Sequence, residues 1–234
     1  MNKLVKNEKG YSLIELLVAA LIFTIVAGGM FSVLLSSQLR YQSDSGLTTV
    51  FQQANLVMDQ ITRDIHSAGY PPVSSFEPST AFNHPEYVAI AFPWSPNYPF
   101  TRCVVSACTI PGANDLLLEA DGGAGQGVQW IRYTLDGTTL RRGMMTKVPN
   151  VDPLTQPQLE VSQMLPYLEN VVNQSSSRNV FTYANYPGKT MVYPSDIYEV
   201  NVCLIVQSAN ADPQTGKRRT ITVTGQAVRF NPNQ

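Results

Sequence analysis

A single carboxylate stands at the edge of a long apolar segment near the start of the chain. Glu15 is followed by the run Leu16–Leu35, which contains no charged residue and no proline. Such a run spans roughly 30 Å as a helix, about the thickness of the hydrocarbon core of a bilayer. An ionised side chain within that core costs about 2.5–3.5 kcal/mol, so Glu15 is a candidate functional residue.

Ser12 offers a simpler interpretation of the same glutamate. Ser12 and Glu15 have the spacing of a capping box, in which the serine caps a helix and the glutamate accepts a hydrogen bond from the serine amide. A carboxylate in the first turn also complements the helix dipole. Taken alone, this spacing leaves helix capping and a function within the membrane equally open.

The segment before the apolar run is short and basic. Lys3, Lys6 and Lys9 precede Gly10, and the apolar residues begin directly after this glycine. An ordinary secretory signal is cut after its apolar core, at a site of small residues, and no such site follows Leu35. The positive-inside tendency keeps the lysines in the cytoplasm, which places the bulk of the chain on the far side of the membrane.

This arrangement resembles a known processing signal. Residues 10–18 are similar to the class III signal of type IV prepilins and type II secretion pseudopilins. The resemblance implies that a prepilin peptidase cuts between Gly10 and Tyr11 and methylates the new Tyr11 amine. It also implies that Glu15, at the fifth mature position, meets the N-terminal amine of a neighbouring subunit. A charge buried among apolar helices is expected to be paired in this way.

Two departures from the family pattern bear on the type of pilin. Tyr11 stands where the first mature residue is usually phenylalanine or methionine, and Ser32 replaces the proline common in major pilins. The second departure weakens the case for a major pilin. Four later segments are similar to PilW-like minor pilins and J-type minor pseudopilins: Arg63–Tyr70, Val128–Arg142, Leu168–Val171 and Val228–Asn231.

The three cysteines fall into a near pair and a distant residue. In an exported protein the spacing of Cys103 and Cys108 favours a disulfide, with two unpaired thiols as the alternative. Cys203 lies in an apolar segment and is expected to be a small buried side chain. His66 and His84 have no cysteine or histidine at ligand spacing, so no zinc or other metal site is expected.

The remaining polar residues indicate no catalytic or cofactor site. Asp115, Glu119 and Asp121 match no calcium loop, which favours solvated carboxylates. No Ser/His/Asp or Cys/His set has supporting context, so the chain is not expected to be an enzyme. The net charge of −1 argues against a dedicated nucleic-acid binder. The basic residues 217–219 lie beside a turn, and a solvated hairpin tip is favoured over DNA contact at a filament tip.

The element that positions Glu15 is a long helix, predicted from about Ser12 to Ala68. Its second part has one apolar stripe, because apolar residues recur at steps of three or four between Leu47 and Ala68. Gly69 then offers a C-cap, and Pro71 prevents continuation. Two places could interrupt this helix: Gly28-Gly29 and Ser43–Gly46.

The rest of the chain is predicted to be loops and strands. Proline density excludes a helix between Tyr70 and Phe100, and Asp136-Gly137 is a hairpin turn signal. Leu154–Val172 is ambiguous between a short helix and extended chain. The predicted strands are Tyr87–Phe92, Leu116–Glu119, Val128–Leu135, Thr138–Arg142, Val180–Tyr183, Tyr198–Gln207 and Thr220–Phe230.

These elements predict an α+β protein with the type IV pilin fold. A long N-terminal helix, transmembrane in its first half, packs by its second half on an antiparallel β-sheet. The expected divisions are a leader at residues 1–10, a transmembrane segment at 11–35, an amphipathic helical segment at 36–69, a loop-rich insert at 70–126 and a sheet domain at 127–234.

The leading functional hypothesis is a minor pilin that contributes to assembly, initiation or the tip of a type IV pilus. The alternatives are a minor pseudopilin of a type II secretion system and, from another class, a membrane-anchored periplasmic enzyme or binding protein. The expected partners are a prepilin peptidase, other pilins or pseudopilins contacted through the N-terminal helix, and the inner membrane. No small-molecule substrate is expected. The chain is expected to cross the inner membrane once, with its C-terminal domain periplasmic or extracellular, and then to enter the pilus or pseudopilus.

Overall fold

One long helix and a set of antiparallel strands make up the fold. A computed structural model describes residues 10–72, 75, 77, 87–93, 112–121, 127–148, 151, 153–190, 194–212 and 215–230. Helix α1 spans Leu13–Ser67 and contains 55 residues. The strands in the described residues are β1 (Asp115–Asp121), β2 (Val128–Asp136), β3 (Thr139–Thr146), β4 (Leu165–Leu168), β5 (Phe181–Ala184), β6 (Glu199–Ala211) and β7 (Arg218–Val228). The predicted α+β class is confirmed.

Helix α1 continues through both places where an interruption was considered. Gly28-Gly29 and Ser43–Gly46 are helical throughout. The predicted end is confirmed: Ala68 is the C-cap, and Gly69 follows with a φ of 79°. This left-handed conformation suits glycine, since other residues adopt it at a steric cost.

The antiparallel strands are divided between two sheets. One has the order β1-β2-β3-β4 and the other the order β5-β6-β7. The second part of α1 packs chiefly on β6 and β7, where Ala54, Ile61 and Ile65 are fully buried in one core with Leu204 and Val206. Burial of each leucine, isoleucine or valine in this core contributes about 1.5–3 kcal/mol, which holds the domain to the helix.

Asn173 lies beside β6 and binds that strand through its side chain. Its Nδ2 donates to the Cys203 carbonyl at 2.8 Å, and its Oδ1 accepts from the Ile205 amide at 2.8 Å. The neighbouring Val172 amide donates to the Ile205 carbonyl at 2.7 Å. The buried asparagine therefore takes the place of a strand residue beside β6 and satisfies backbone groups that would otherwise be unpaired.

The prediction of a strand at Tyr87–Phe92 was wrong. Its backbone forms hydrogen bonds with two different segments. The Ala89 amide donates to the Pro71 carbonyl at 2.9 Å, and the Ala91 carbonyl accepts from the Glu119 amide at 3.3 Å. The segment therefore fills the space between the end of α1 and β1 without a regular ladder. The sequence leaves the segment Leu154–Val172 open between a short helix and extended chain. It begins within a 3₁₀ turn at Pro153–Thr155 and continues with a second turn at Pro157–Leu159 and with β4.

Two strand glycines differ in what a methyl group would meet. A Cβ at Gly143 would lie 2.5 Å from the backbone oxygen of Gln158, whereas a Cβ at Gly225 would lie 2.5 Å from the sulfur of Met58. A thioether side chain can move aside, but a backbone carbonyl held in a 3₁₀ turn cannot. We expect Gly143→Ala to reduce the free energy of unfolding by about 1–3 kcal/mol and Gly225→Ala to cost less. Urea unfolding of the full chain in detergent, followed by tryptophan fluorescence, measures both; a larger loss for Gly225→Ala would contradict this packing.

Candidate functional site

The start of α1 contains the capping box that the sequence allowed. Ser12 is the N-cap, with its Oγ accepting from the Ile14 amide at 3.4 Å. Glu15 Oε2 accepts a hydrogen bond from the Ser12 amide at 3.0 Å. Glu15 is thus a helix cap in the isolated chain, and it uses one of its two carboxylate oxygens for this purpose.

The first part of α1, beyond the cap, is not covered by any of the residues that the structure describes. Every residue from Gly10 to Gln42 is exposed, and the helix is long and apolar enough to cross a membrane. Between Leu13 and Leu39, Glu15 is the one charged residue. An apolar surface of this length requires lipid or other apolar helices around it, and Glu15 lies at its edge.

The bond between Gly10 and Tyr11 lies just outside the helix. Residues 10–12 are not helical, and the Tyr11 side chain is 91% exposed. A Cβ at Gly10 would meet no atom within 4 Å. This backbone is accessible to a processing enzyme, and nothing in the described chain itself requires glycine at position 10. Residues 1–9 of the expected leader lie outside the described residues.

The N-terminal segment has a recognisable pattern. Residues 5–31 match the family model described as Prokaryotic N-terminal methylation motif. The matched segment contains Gly10, Tyr11 and Glu15, and it supports a type IV pilin-like protein, either a pilin or a pseudopilin subunit. The motif and the exposed apolar helix together fit a membrane-anchored subunit that is processed by a prepilin peptidase. The searches of curated proteins and of solved structures found no match.

Of the three cysteines, Cys203 is the one within the described residues. Cys103 and Cys108 lie outside the described residues, so their disulfide stays a prediction. Cys203 is a free thiol in β6 and is half-buried, not fully buried as expected. It alternates with buried Val202 and Leu204, which places it on the opposite, less covered face of the strand.

Two of the three carboxylates on β1, Asp115 and Glu119, are paired and largely buried, not solvated as expected, and Asp121 is half-buried. Glu119 is fully buried, with Oε2 at 2.9 Å from Lys147 Nζ and Oε1 accepting from Trp130 Nε1 at 2.8 Å. Asp115 accepts from both Nε and Nη2 of Arg132. Burial raises the pKa of the Asp115 carboxyl, and the adjacent Arg132 opposes that rise. In the part of the chain that the structure describes, no three His, Cys, Asp or Glu side chains group together as a metal site.

A polar network that sequence reasoning missed attaches the end of α1 to the four-stranded sheet. The Tyr133 hydroxyl donates to Asp64 Oδ2, and Arg142 Nη2 donates to the same oxygen at 3.0 Å. Arg142 Nε also donates to the Tyr133 oxygen at 2.9 Å. Burial and the neighbouring Asp64 raise the pKa of Tyr133, so its hydroxyl keeps the proton that it donates. The one signal in the sequence is that Asp64 borders the apolar stripe.

Removal of the Tyr133 hydroxyl tests this network. We expect Tyr133→Phe to lower the free energy of unfolding by about 1–3 kcal/mol, because buried Asp64 loses a donor and Arg142 loses an acceptor. Tyr167→Phe is the matched control, since Tyr167 contributes a ring contact with Tyr133 at 6.0 Å and is 36% exposed. Urea unfolding of both variants gives the comparison. Equal stability of the two would show that the network does not hold the helix to the sheet.

Proposed function

We propose that this chain is a minor pilin subunit that contributes to the assembly, initiation or tip of a type IV pilus. The proposal rests on the arrangement of the N-terminal residues. An accessible Gly10–Tyr11 bond is followed by an exposed apolar helix, and Glu15 is the one charged residue in the first part of that helix. The match to the methylation motif supports the same interpretation.

The proposed maturation has two steps at adjacent atoms. A prepilin peptidase hydrolyses the peptide bond between Gly10 and Tyr11, which releases residues 1–10. The new Tyr11 amine is then methylated. The mature helix crosses the inner membrane once through residues 11–35, and its second part carries the sheet domain on the periplasmic side until the subunit enters a filament.

The geometry of Glu15 permits capping and subunit pairing at the same time. Oε2 accepts from the Ser12 amide, and among the described residues Oε1 has no partner. An ionised carboxylate offers about four acceptor positions, so an amine from a neighbouring subunit can bind without breaking the cap. We infer that the cap orients the carboxylate and that the neighbour's Tyr11 amine is its second partner.

A minor pseudopilin of a type II secretion system is the second candidate. It shares the same signal and the same helix, and the later segments are similar to J-type minor pseudopilins as well as to PilW-like minor pilins. A membrane-anchored periplasmic enzyme or binding protein would need neither Gly10 nor Glu15. The N-terminal motif therefore favours the two filament functions over an anchored enzyme.

The test separates the three functions in one host. Sheared surface filaments and membranes are collected, and the N-terminus of the protein is determined in each by mass spectrometry. A minor pilin is expected as a methylated Tyr11 form in the filament fraction, and deletion of its gene should reduce piliation. A pseudopilin gives the same N-terminus, but its deletion blocks secretion and leaves pili intact. An unprocessed N-terminus in a host with active prepilin peptidase would refute both filament functions.

A further inference from the structure

The β6–β7 hairpin lies along α1 in a defined direction. Near its start, β7 contacts the middle of the helix: Arg219 Nη1 is 2.6 Å from Asp44 Oδ1. Just beyond its end, the Phe230 ring stacks on His66 near the last turn of the helix, with centroids 4.3 Å apart. Strand β7 therefore runs parallel to α1. Residues 215–217, just before Arg218, lie on the side of the helix that leads to its apolar N-terminal part.

This direction places the hairpin tip close to the end of the apolar run. Asp44 follows Leu35 by nine residues, which is about 14 Å along a helix. The tip lies nearer still, because it precedes the Arg219 contact and exposed Leu39 extends the apolar surface toward it. The polar headgroup region extends roughly 5–8 Å beyond the hydrocarbon core on each side. With α1 in a bilayer, the tip is therefore at the level of the headgroups.

The residues at this level are mainly cationic. Lys217, Arg218 and Arg219 are exposed, and Arg40 lies on the adjacent part of α1. The carboxylates at this level in the described residues are Asp44, which is paired with Arg219, and Asp212, whose Oδ1 accepts from the Thr215 amide. Among the described residues, four cations and two carboxylates therefore lie at this level, although the net charge of the whole chain is −1.

We propose that this basic tip, defined as Arg40 with residues 215–219, docks on anionic lipid headgroups of the membrane that holds α1. The group that the tip would bind is the phosphate of the lipid headgroup. Basic side chains are attracted to an anionic membrane surface when they lie within a Debye length of it, and the tip, at the level of the headgroups, lies within that distance. Docking would hold the sheet domain in one orientation on the membrane until the subunit leaves for the filament. The inference rests on the proposed function, because it requires α1 to be inserted.

The test uses the full-length protein in lipid nanodiscs. One set contains phosphatidylcholine alone, and the other contains equal parts of phosphatidylcholine and phosphatidylglycerol. Amide hydrogen exchange of residues 212–219 is expected to be about tenfold slower with the anionic lipid, and the difference should vanish at high salt. Lys217→Glu with Arg218→Glu should abolish it. Arg63→Glu with Lys189→Glu is the matched control, since both residues are away from the tip, and it should retain the protection.

The other outcomes are distinct. Equal exchange in the two lipids for inserted protein would overturn the docking proposal and leave the proposed function standing. Protection by DNA or by inorganic phosphate in neutral discs, without an effect of phosphatidylglycerol, would assign the tip to that ligand and also overturn it. Protein that does not insert into either disc would overturn the docking proposal together with the proposed function.

Discussion

With valine at position 10, the protein is expected to remain in the membrane with residues 1–10 still attached. The substituted side chain lies directly beside the bond that the peptidase must cut, between residue 10 and Tyr11. A misplacement of about 1 Å at a scissile bond reduces a rate by about a hundredfold, so processing of Gly10→Val should be close to absent. Mass spectrometry of the N-terminus, in a host with active prepilin peptidase, gives the processed fraction.

The structure makes this a test of the enzyme's requirement and not of folding. Gly10 is exposed and lies outside α1, and a Cβ added there would meet no atom within 4 Å. Gly10→Ala is the matched control, because alanine adds the same Cβ without the two further methyl groups, and it should still be processed. Processing of the valine variant at the wild-type rate would remove Gly10–Tyr11 as the cleavage site.

Features that depend on residues close together in the sequence were predicted well. Ser12 and Glu15 mark the start of α1, and Gly69 marks its end, because caps are formed by residues a few positions apart. Asp136-Gly137 closes the β2–β3 hairpin with a φ of 60° at Gly137. The candidate site belongs to the same class, since Gly10, Tyr11 and Glu15 fall within one contiguous motif.

Features that depend on distant partners were not predicted. Glu119 was expected to be solvated, yet it is buried against Lys147, which lies 28 residues away. The Glu119 carboxylate also accepts from the Ile90 amide, so a side chain satisfies backbone that was predicted to be a strand. The pairing of the chain beside β6 depends in the same way on the side chain of Asn173, whose partners lie 30 and 32 residues away. No periodicity of apolar residues contains this information.

The same limit applies to the function of Glu15. The motif identifies the residue, and the described residues of the isolated chain show its capping contact. The second partner that we propose for it belongs to another subunit. Two substitutions can separate the role of Glu15 as a helix cap from its role as a charge, because each removes one property and keeps the other. Glutamine keeps the capping geometry and removes the charge, whereas loss of the serine hydroxyl removes part of the cap and keeps the charge.

Glu15→Gln is therefore expected to be processed normally and to fail in filament assembly. If Glu15 pairs with a neighbour's Tyr11 amine, the variant leaves that amine buried without a counter-charge. The cost of breaking a buried pair can reach about 3–5 kcal/mol. The ratio of filament-bound to membrane-bound protein should then fall by at least about a hundredfold. Insertion of the unassembled subunit should hardly change, since loss of a charge makes the helix more apolar.

Ser12→Ala completes the comparison, because it reverses which property is lost. It removes the Oγ that accepts from the Ile14 amide and leaves the Glu15 carboxylate in place. Loss of an N-cap costs about 1 kcal/mol, a small effect on a helix of 55 residues. The pairing model thus predicts near-normal assembly for Ser12→Ala and a severe defect for Glu15→Gln. The capping model predicts the opposite order, because glutamine still accepts from the Ser12 amide. Equal ratios for Glu15→Gln and the wild type would leave Glu15 as a helix cap, and the search for the assembly contact would move to the uncovered apolar face of α1.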